Sequence, residues 1–446
     1  PEPALAQVPG ALRDDPGLVY DRLRWRRLKE MDEEAIDLLT HPAHDLGRPD
    51  LWWQERAILA RRALQKGWVS RAYQIAAEHR LEGGTAYVDA EFLAGWIALR
   101  FLDDRETALL HFLRLHDWAS HPLSRARAAY WAGRTYEASA DPKAREWYAR
   151  AARYSTTYYG QLAGSRLGGV WPLPDDPAPG ADERARFESR DVVAATRLLL
   201  AAGDETLPRS FLIRLNDIVE SPGERALAAR LALEAGRPDL AVTVSRRSER
   251  DGVTLVEGGW PVPSYVPAVT DPERALVLAL IRQESGFMVD VESSAGARGL
   301  MQLLPTTASR VARAEKIRFS PAMLDDPAVN IRLGSAFLGG LVDDFGGSYV
   351  LALASYNAGP GRARRWVREY GDPRDATVDP VDWVEMIPFS ETRNYVQRVM
   401  ESVAVYRRRL GQPPGPGLEA EIRRAAPSHG RHAPAEPVVP AADDNR

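Results

Sequence analysis

The 446 residues include no cysteine, which excludes disulfides, thiol nucleophiles and Cys-ligated zinc. Histidine is scarce. The eight fall at 41, 44, 79, 111, 116, 121, 429 and 432, leaving none between 122 and 428. A site built in that interval has no imidazole from its own region, so a Ser-His-Asp triad or a His-bound metal is not expected there. Carboxylate chemistry is what remains. Long apolar runs are also missing, and the longest, Ala275 to Ile281, is far short of a membrane span. Neither sign of charge dominates: 58 Lys and Arg stand against 62 Asp and Glu, and no basic stripe points to nucleic acid. Pro1-Glu2-Pro3-Ala4 lacks a basic-then-apolar signal pattern, so either the chain is cytosolic or a signal has been removed.

What is present is a soluble, globular composition, 45% hydrophobic and 27% charged. The length suggests roughly two to four domains. No alternating strand pattern of convincing length occurs, so the fold class expected is all-α. Residues 1–180 read as repeated helical hairpins. A small residue recurs at Ala35, Ala72, Ala108 and Ala144, with spacings of 37, 36 and 36 residues. Aromatic residues, notably Trp25, Trp96 and Trp131, precede several of these in the partner helix. Small residues admit close helix approach while Trp fills the facing gaps, which is the pattern of a tetratricopeptide-like α-helical solenoid. The eight Trp of the first 160 residues are expected in the core.

Trp171 to Gly180 is Pro-rich and reads as a linker. Helical periodicity resumes over 190–247, giving a smaller helical segment at 181–262. A second break, Glu257 to Pro263, precedes a region of short, individually capped helices at 263–411. There Ser320-Pro321 and Asp326-Pro327 place a capping oxygen before a first-turn proline. Residues 329–345 carry one apolar face ended by Gly346-Gly347, Ser348 restarts a helix, and Glu391 to Leu410 forms a long closing helix. Residues 412–446 are Pro- and Ala-rich and expected to be disordered, apart from a short helix at 418–425.

Within the third region, Leu276 to Gly286 predicts an apolar helix that delivers Glu284 to its last turn. Thr270 and Asp271 offer N-cap oxygens, Pro272 suits the first turn and Gly286 the left-handed C′ position. At the negative end of the helix dipole, beside Ile281 and Phe287, the Glu284 carboxyl should hold its proton above the usual range. That is what a general acid requires.

Four stretches extend this reading: Glu284-Ser285-Gly286-Phe287, then Ser293 through Gly299-Leu300-Met301-Gln302, then Tyr356-Asn357-Ala358-Gly359, then Glu385-Met386-Ile387-Pro388-Phe389 continuing to Tyr395-Val396. In this order the set resembles the soluble lytic transglycosylases, glycosidases of a lysozyme-like fold that cleave bacterial cell-wall peptidoglycan. The helical N-terminal half is similar to the superhelix that precedes their catalytic domain. The resemblance implies a lysozyme-like catalytic domain at 263–411, with Glu284 as its catalytic acid and base. It further implies that Ser293, Gln302, Tyr356, Asn357, Glu385 and Tyr395 line the saccharide groove. The sequence departs from the family where Met288-Val289-Asp290 stands in place of an Asn-Pro, and where Leu304 replaces a methionine of some members.

The resemblance also implies a periplasmic protein that uses no metal or cofactor. Peptidoglycan glycan strands are its expected partners, other cell-wall enzymes are candidate ones, and a monomer is expected. Ordinary glycosidases use two carboxylates, whereas Glu284 has no partner within its motif. Asp290, Glu292 and Glu385 are the carboxylates to inspect. The family's answer is a non-hydrolytic cleavage closing a 1,6-anhydromuramoyl ring. A goose-type lysozyme and a non-catalytic glycan-binding scaffold are the rival readings.

Overall fold

A computed structural model describes residues 5–40, 45–169, 172–204, 206–268, 271–413 and 415–425. The tail beyond 425 and the histidines at 41, 44, 429 and 432 therefore lie outside the described residues. Among the described residues regular structure is helical, apart from two isolated bridges, Glu292 with Arg298 and Arg298 with Leu303. None of these helices is long and apolar enough to cross a membrane. The chain forms two compact units.

The first unit runs to Ala119 and takes in Ser124–Ala151. It holds α1 (Pro16–Leu28), α2 (Asp32–Asp37), α3 (Pro49–Gln65), α4 (Val69–Ala77), α5 (Gly84–Phe101), α6 (Arg105–Trp118), most of α7 (Pro122–Ala138) and nearly all of α8 (Lys143–Ala152). Asp15 and Asp104 cap α1 and α6 by accepting backbone N–H groups of the first turn. Successive helices pack on one another, α3 on α4, α4 on α5 and α5 on α6. The small-residue rule holds: Ala35, Ala72 and Ala108 are fully buried, while Ala144, in the last helix, is half-buried. Gly95 shows why size matters, since a Cβ there would run into Phe112 and His111. Trp96 and Trp131 are fully buried and Trp25 half-buried, whereas Trp118 is 44% exposed.

At the centre of this unit Glu91 is buried between two histidines. His111 Nδ1 approaches Glu91 Oε2 at 2.6 Å and His79 Nε2 approaches Oε1 at 3.2 Å. Leu81 N–H donates to His79 Nδ1 at 3.0 Å, which leaves Nε2–H to donate to Glu91. Burial acts to raise the Glu91 pKa, but the hydrogen bonds from the two rings, with the charge of His111, outweigh it and hold the carboxyl at about 2.

The second unit comprises Ser120–Leu123 and the chain from Ala152. It begins with α9 (Tyr158–Arg166), capped by Thr157. The Pro-rich stretch then runs as coil to Gly180 over its described residues. Next come α10 (Ala181–Glu188), α11 (Asp191–Ala201), α12 (Pro208–Ile218), α13 (Pro222–Glu234), α14 (Pro238–Arg250) and the single turn α15 (Val256–Gly259). The second break is not a solvated linker. Gly258 lies so close to Ala229 and Ser245 that a Cβ would collide with both, and Trp260 is 1% exposed.

The remaining helices are α16 (Arg274–Glu284), α17 (Pro305–Ala314), α18 (Pro327–Asp344), α19 (Tyr349–Ala358), α20 (Pro360–Tyr370), α21 (Pro380–Met386), α22 (Ser390–Arg409) and α23 (Leu418–Ile422). Asp326 and Ser348 cap α18 and α19 as the sequence predicts, whereas Ser320 makes no cap bond. α16 starts later than expected. Thr270 lies outside the described residues, Pro272 precedes the helix, and the cap position falls to Glu273, which makes no side-chain cap bond. Its carboxylate is instead drawn to Arg407 at 2.6 Å and to the Tyr349 hydroxyl at 2.8 Å. α16 is apolar all round, with every residue from Ala275 to Ile281 fully buried, as a helix sheathed by others must be. Its main neighbour is α22, which also packs on α19 and α9.

Candidate active site

The buried end of α16 is set from behind by Arg282. Its Nε donates to Gly259 O at 2.6 Å and its guanidinium lies 4.3 Å from the Trp260 ring centroid. The Trp260 indole N–H in turn donates to Ser402 Oγ on α22 at 3.2 Å. At the front, Ser285 Oγ donates to Ile281 O and accepts from Phe287 N–H. Gly286 takes the left-handed conformation that the sequence predicts, with φ of 58°. The chain therefore turns away just after Glu284, leaving its carboxyl at the helix end.

That carboxyl is strongly perturbed. Burial, opposed by the Tyr395 hydrogen bond and aided by the negative charge of Glu391, pushes its pKa up to about 7. Tyr395 Oη donates to Glu284 Oε1 at 2.7 Å. Tyr356 is the third member of the cluster. Its hydroxyl donates to Met301 O at 2.7 Å, and its ring lies 5.1 Å from that of Phe337. Burial first, then the Glu284 charge, holds the pKa values of Tyr356 and Tyr395 well above the usual phenol range. Both phenols thus stay protonated donors beside one carboxyl.

The Gly299–Gln302 turn borders this cluster. Gln302 sits at a positive φ of 45°, a conformation costing a non-glycine residue about 1 kcal/mol. Its Nε2 donates to Val291 O at 3.1 Å and Gly299 O at 2.9 Å, which uses both amide hydrogens and leaves Oε1 as the accepting atom. Asn357 presents the opposite polarity. Thr392 Oγ1 donates to Asn357 Oδ1 at 2.6 Å, so the Asn357 NH2 is the donor left over. Ser293 Oγ accepts from Ala297 N–H at 3.0 Å within the loop joining Phe287 to Gly299, leaving its hydroxyl hydrogen available.

Glu385 is placed differently from the other expected groove residues. It is 1% exposed and enclosed by Tyr159 of α9, whose hydroxyl donates to Oε1, by Gln397 Nε2 at 2.6 Å and by Arg393 at 3.7 Å. Asp290 and Glu292 are exposed, and Glu292 leans toward Arg298 at 3.9 Å. Among the described residues the carboxylate whose charge bears on Glu284 is Glu391, in the first turn of α22. Motif reading passed over it, along with Thr392 and Asn330. The Ile-Pro-Phe stretch just before Glu391 and Thr392 was the signal that could have found those two.

Comparison with known proteins adds to this geometry. Residues 270–378 match the family model described as Transglycosylase SLT domain, and residues 386–414 match the Soluble lytic transglycosylase helical domain. The soluble lytic murein transglycosylase of Salmonella typhimurium strain LT2 is 31% identical over 275 residues, covering 60% of this chain and 41% of that protein. The protein of the same description from Escherichia coli K12 is 31% identical over 265 residues, covering 58% of this chain and 40% of that one. The chain thus spans about two fifths of the length of these curated relatives. Among solved structures, an inactive Glu-to-Gln mutant of the lytic transglycosylase Slt from Pseudomonas aeruginosa superposes with a TM-score of 0.71 at 25% identity, covering 92% of this chain and 66% of that one.

Proposed function

We propose that this chain, which belongs to the soluble lytic murein transglycosylase family through residues 270–378 and 386–414, is a peptidoglycan lyase with Glu284 as its single acid and base. The bond broken is the β-1,4 linkage between N-acetylmuramic acid and N-acetylglucosamine. The observation that carries the reading is the Glu284 carboxyl, held near neutrality by burial and bonded to Tyr395. Such a group is protonated when substrate arrives and a competent base once it has lost that proton.

Glu284 protonates the glycosidic oxygen, so the bond to the muramoyl anomeric carbon breaks and the N-acetylglucosamine end leaves as an alcohol. The substrate's own acetamido group assists at that carbon. The Glu284 carboxylate then removes the proton of the muramoyl C6 hydroxyl, whose oxygen closes the 1,6-anhydro ring, and the acid is restored without water. Gln302 Oε1, the Asn357 NH2, the Ser293 hydroxyl and the faces of Tyr356 and Tyr395 match the N-acetyl and hydroxyl groups of a saccharide. Glu385 serves this groove from behind, by orienting Arg393. Residues 263–411 are the catalytic domain in this reading, 1–180 and 181–262 the helical parts. The protein works as a periplasmic monomer on glycan strands, with other cell-wall enzymes as candidate partners.

The test is mass spectrometry of the soluble products released from purified peptidoglycan, beside Glu284→Gln. Muropeptides ending in 1,6-anhydro-N-acetylmuramic acid, lost in the variant, are expected. Products heavier by one water would make the protein a lysozyme, and no product from either protein would make it a binding scaffold.

A further inference from the structure

Asn330, in the first turns of α18, is fully buried. Its carboxamide is almost completely engaged with two other segments. Oδ1 accepts from Met301 N–H at 2.8 Å, while Nδ2 donates to Arg298 O and to Leu324 O, each at 2.9 Å. Gly299 lies against it so closely that a Cβ would meet Asn330 Nδ2 and Leu324 O. At the other end of the same residue, Met301 O, in the next peptide group, takes the Tyr356 hydroxyl at 2.7 Å. Met301 is fully buried, and Gly334 approaches so closely that a Cβ there would strike its side chain. The residue after it, Gln302, holds a positive φ. A continuous hydrogen-bonded path therefore runs from Asn330 through Met301 to Tyr356, a phenol whose ionisation responds to the Glu284 charge.

We propose that Asn330 is a positioning residue for the catalytic carboxyl: by fixing the Met301 backbone, whose two flanking peptide groups bind Asn330 and Tyr356, it fixes the Tyr356 hydroxyl and so the wall that Tyr356 forms beside Glu284. This rests on reading Glu284 as the catalytic group. Asn330 does not touch the reacting atoms. Without it, Met301 N–H loses its acceptor, the turn relaxes and water reaches the carboxyl.

The test is a titration of the Glu284 side-chain carboxyl by carbon-13 NMR in the full chain, with the resonance assigned by its disappearance in Glu284→Gln. Asn330→Ala and Tyr356→Phe are each expected to lower the midpoint by about one pH unit, as water entry predicts. The double variant should move it no further than the larger single change, because both act through Met301. Asn330→Asp keeps an acceptor for Met301 N–H while losing donors to Arg298 O and Leu324 O. It should lower the melting temperature yet leave the Glu284 midpoint in place. Midpoints unchanged in Asn330→Ala, or shifts that add in the double variant, would overturn the proposal and leave Asn330 a merely structural residue. Asn330→Ser, whose shorter side chain leaves room for a water, is read in the same way if the alanine protein does not fold.

The titration needs no turnover, so a chain inactive on peptidoglycan would count against the proposed function alone. In an active chain, kcat of Asn330→Ala falls about tenfold, as for the loss of one buried hydrogen bond, with KM little changed.

Discussion

Tyr395 Oη and Glu284 Oε1 lie 2.7 Å apart across the α16–α22 contact, and the bond opposes the effect of burial on the same carboxyl. Burial favours the protonated acid, while the phenol, donating its O–H to the carboxylate oxygen, favours the anion. The site is thus tuned by two opposed influences rather than one.

Removing the phenol leaves burial unopposed. In Tyr395→Phe the alkaline limb of kcat/KM, which in the proposed function follows Glu284 ionisation, should move above its starting point near pH 7. Turnover should fall about tenfold, because the base step loses its oriented carboxylate. A pH–rate profile of wild type beside the variant checks both, and an unmoved limb would separate Tyr395 from the titration.

The raised carboxyl also has a stability consequence. A glutamate whose folded pKa stands near 7 against an ordinary value of 4.5 leaves the fold unaffected below about pH 4 and destabilises it progressively as pH rises between the two values. Glu284→Gln should therefore be nearly neutral at pH 4 and stabilising by about 3 kcal/mol at pH 8. Urea unfolding at the two pH values measures it.

Glu91 predicts the opposite sign in the first unit. Its folded pKa of about 2 lies below the ordinary 4.5, so its stabilisation is present above pH 4.5 and lost as pH falls toward 2. Glu91→Gln removes the charge between His79 and His111 and should cost about 2–3 kcal/mol near neutral pH. Thermal unfolding followed by circular dichroism reads it, with the difference from wild type shrinking in acid.

Gly299→Ala tests the packing of the turn. The position has a φ of 74° and its Cβ would overlap Asn330 and Leu324, so the substitution should cost about 2–3 kcal/mol. Denaturant unfolding gives the figure, and a cost under half of that would mean that the turn yields easily.

The helical plan was largely legible because it rests on local signals. Asp326 and Ser348 announce their helices through backbone N–H groups three residues on, and Gly286 marks the end of α16 by the conformation it permits. What was not legible depends on distance along the chain. Asn330 reads as one more helix-face residue until Met301, 29 positions earlier, is seen at its carboxamide. Tyr159 reads as a core aromatic until Glu385 is found 226 positions later. Gly258 and Gly259 looked like a break, since glycine carries the same letter whether it turns a chain or lets two helices approach. At the start of α16 the cap position falls to Glu273, whose carboxylate is held by Arg407, 134 positions later, rather than by the helix.

α22 meets Glu284 through Tyr395, Glu385 through Gln397, the Trp260 indole through Ser402 and Glu273 through Arg407. None of these four residues falls in the matched 270–378 span, and Tyr159 and Trp260 also stand outside it. A piece cut to that span would keep the acid and discard the hydroxyl that steadies it, together with the indole behind it. The surroundings of Glu284 are accordingly held together by side chains drawn from well before α16 and from the whole length of α22.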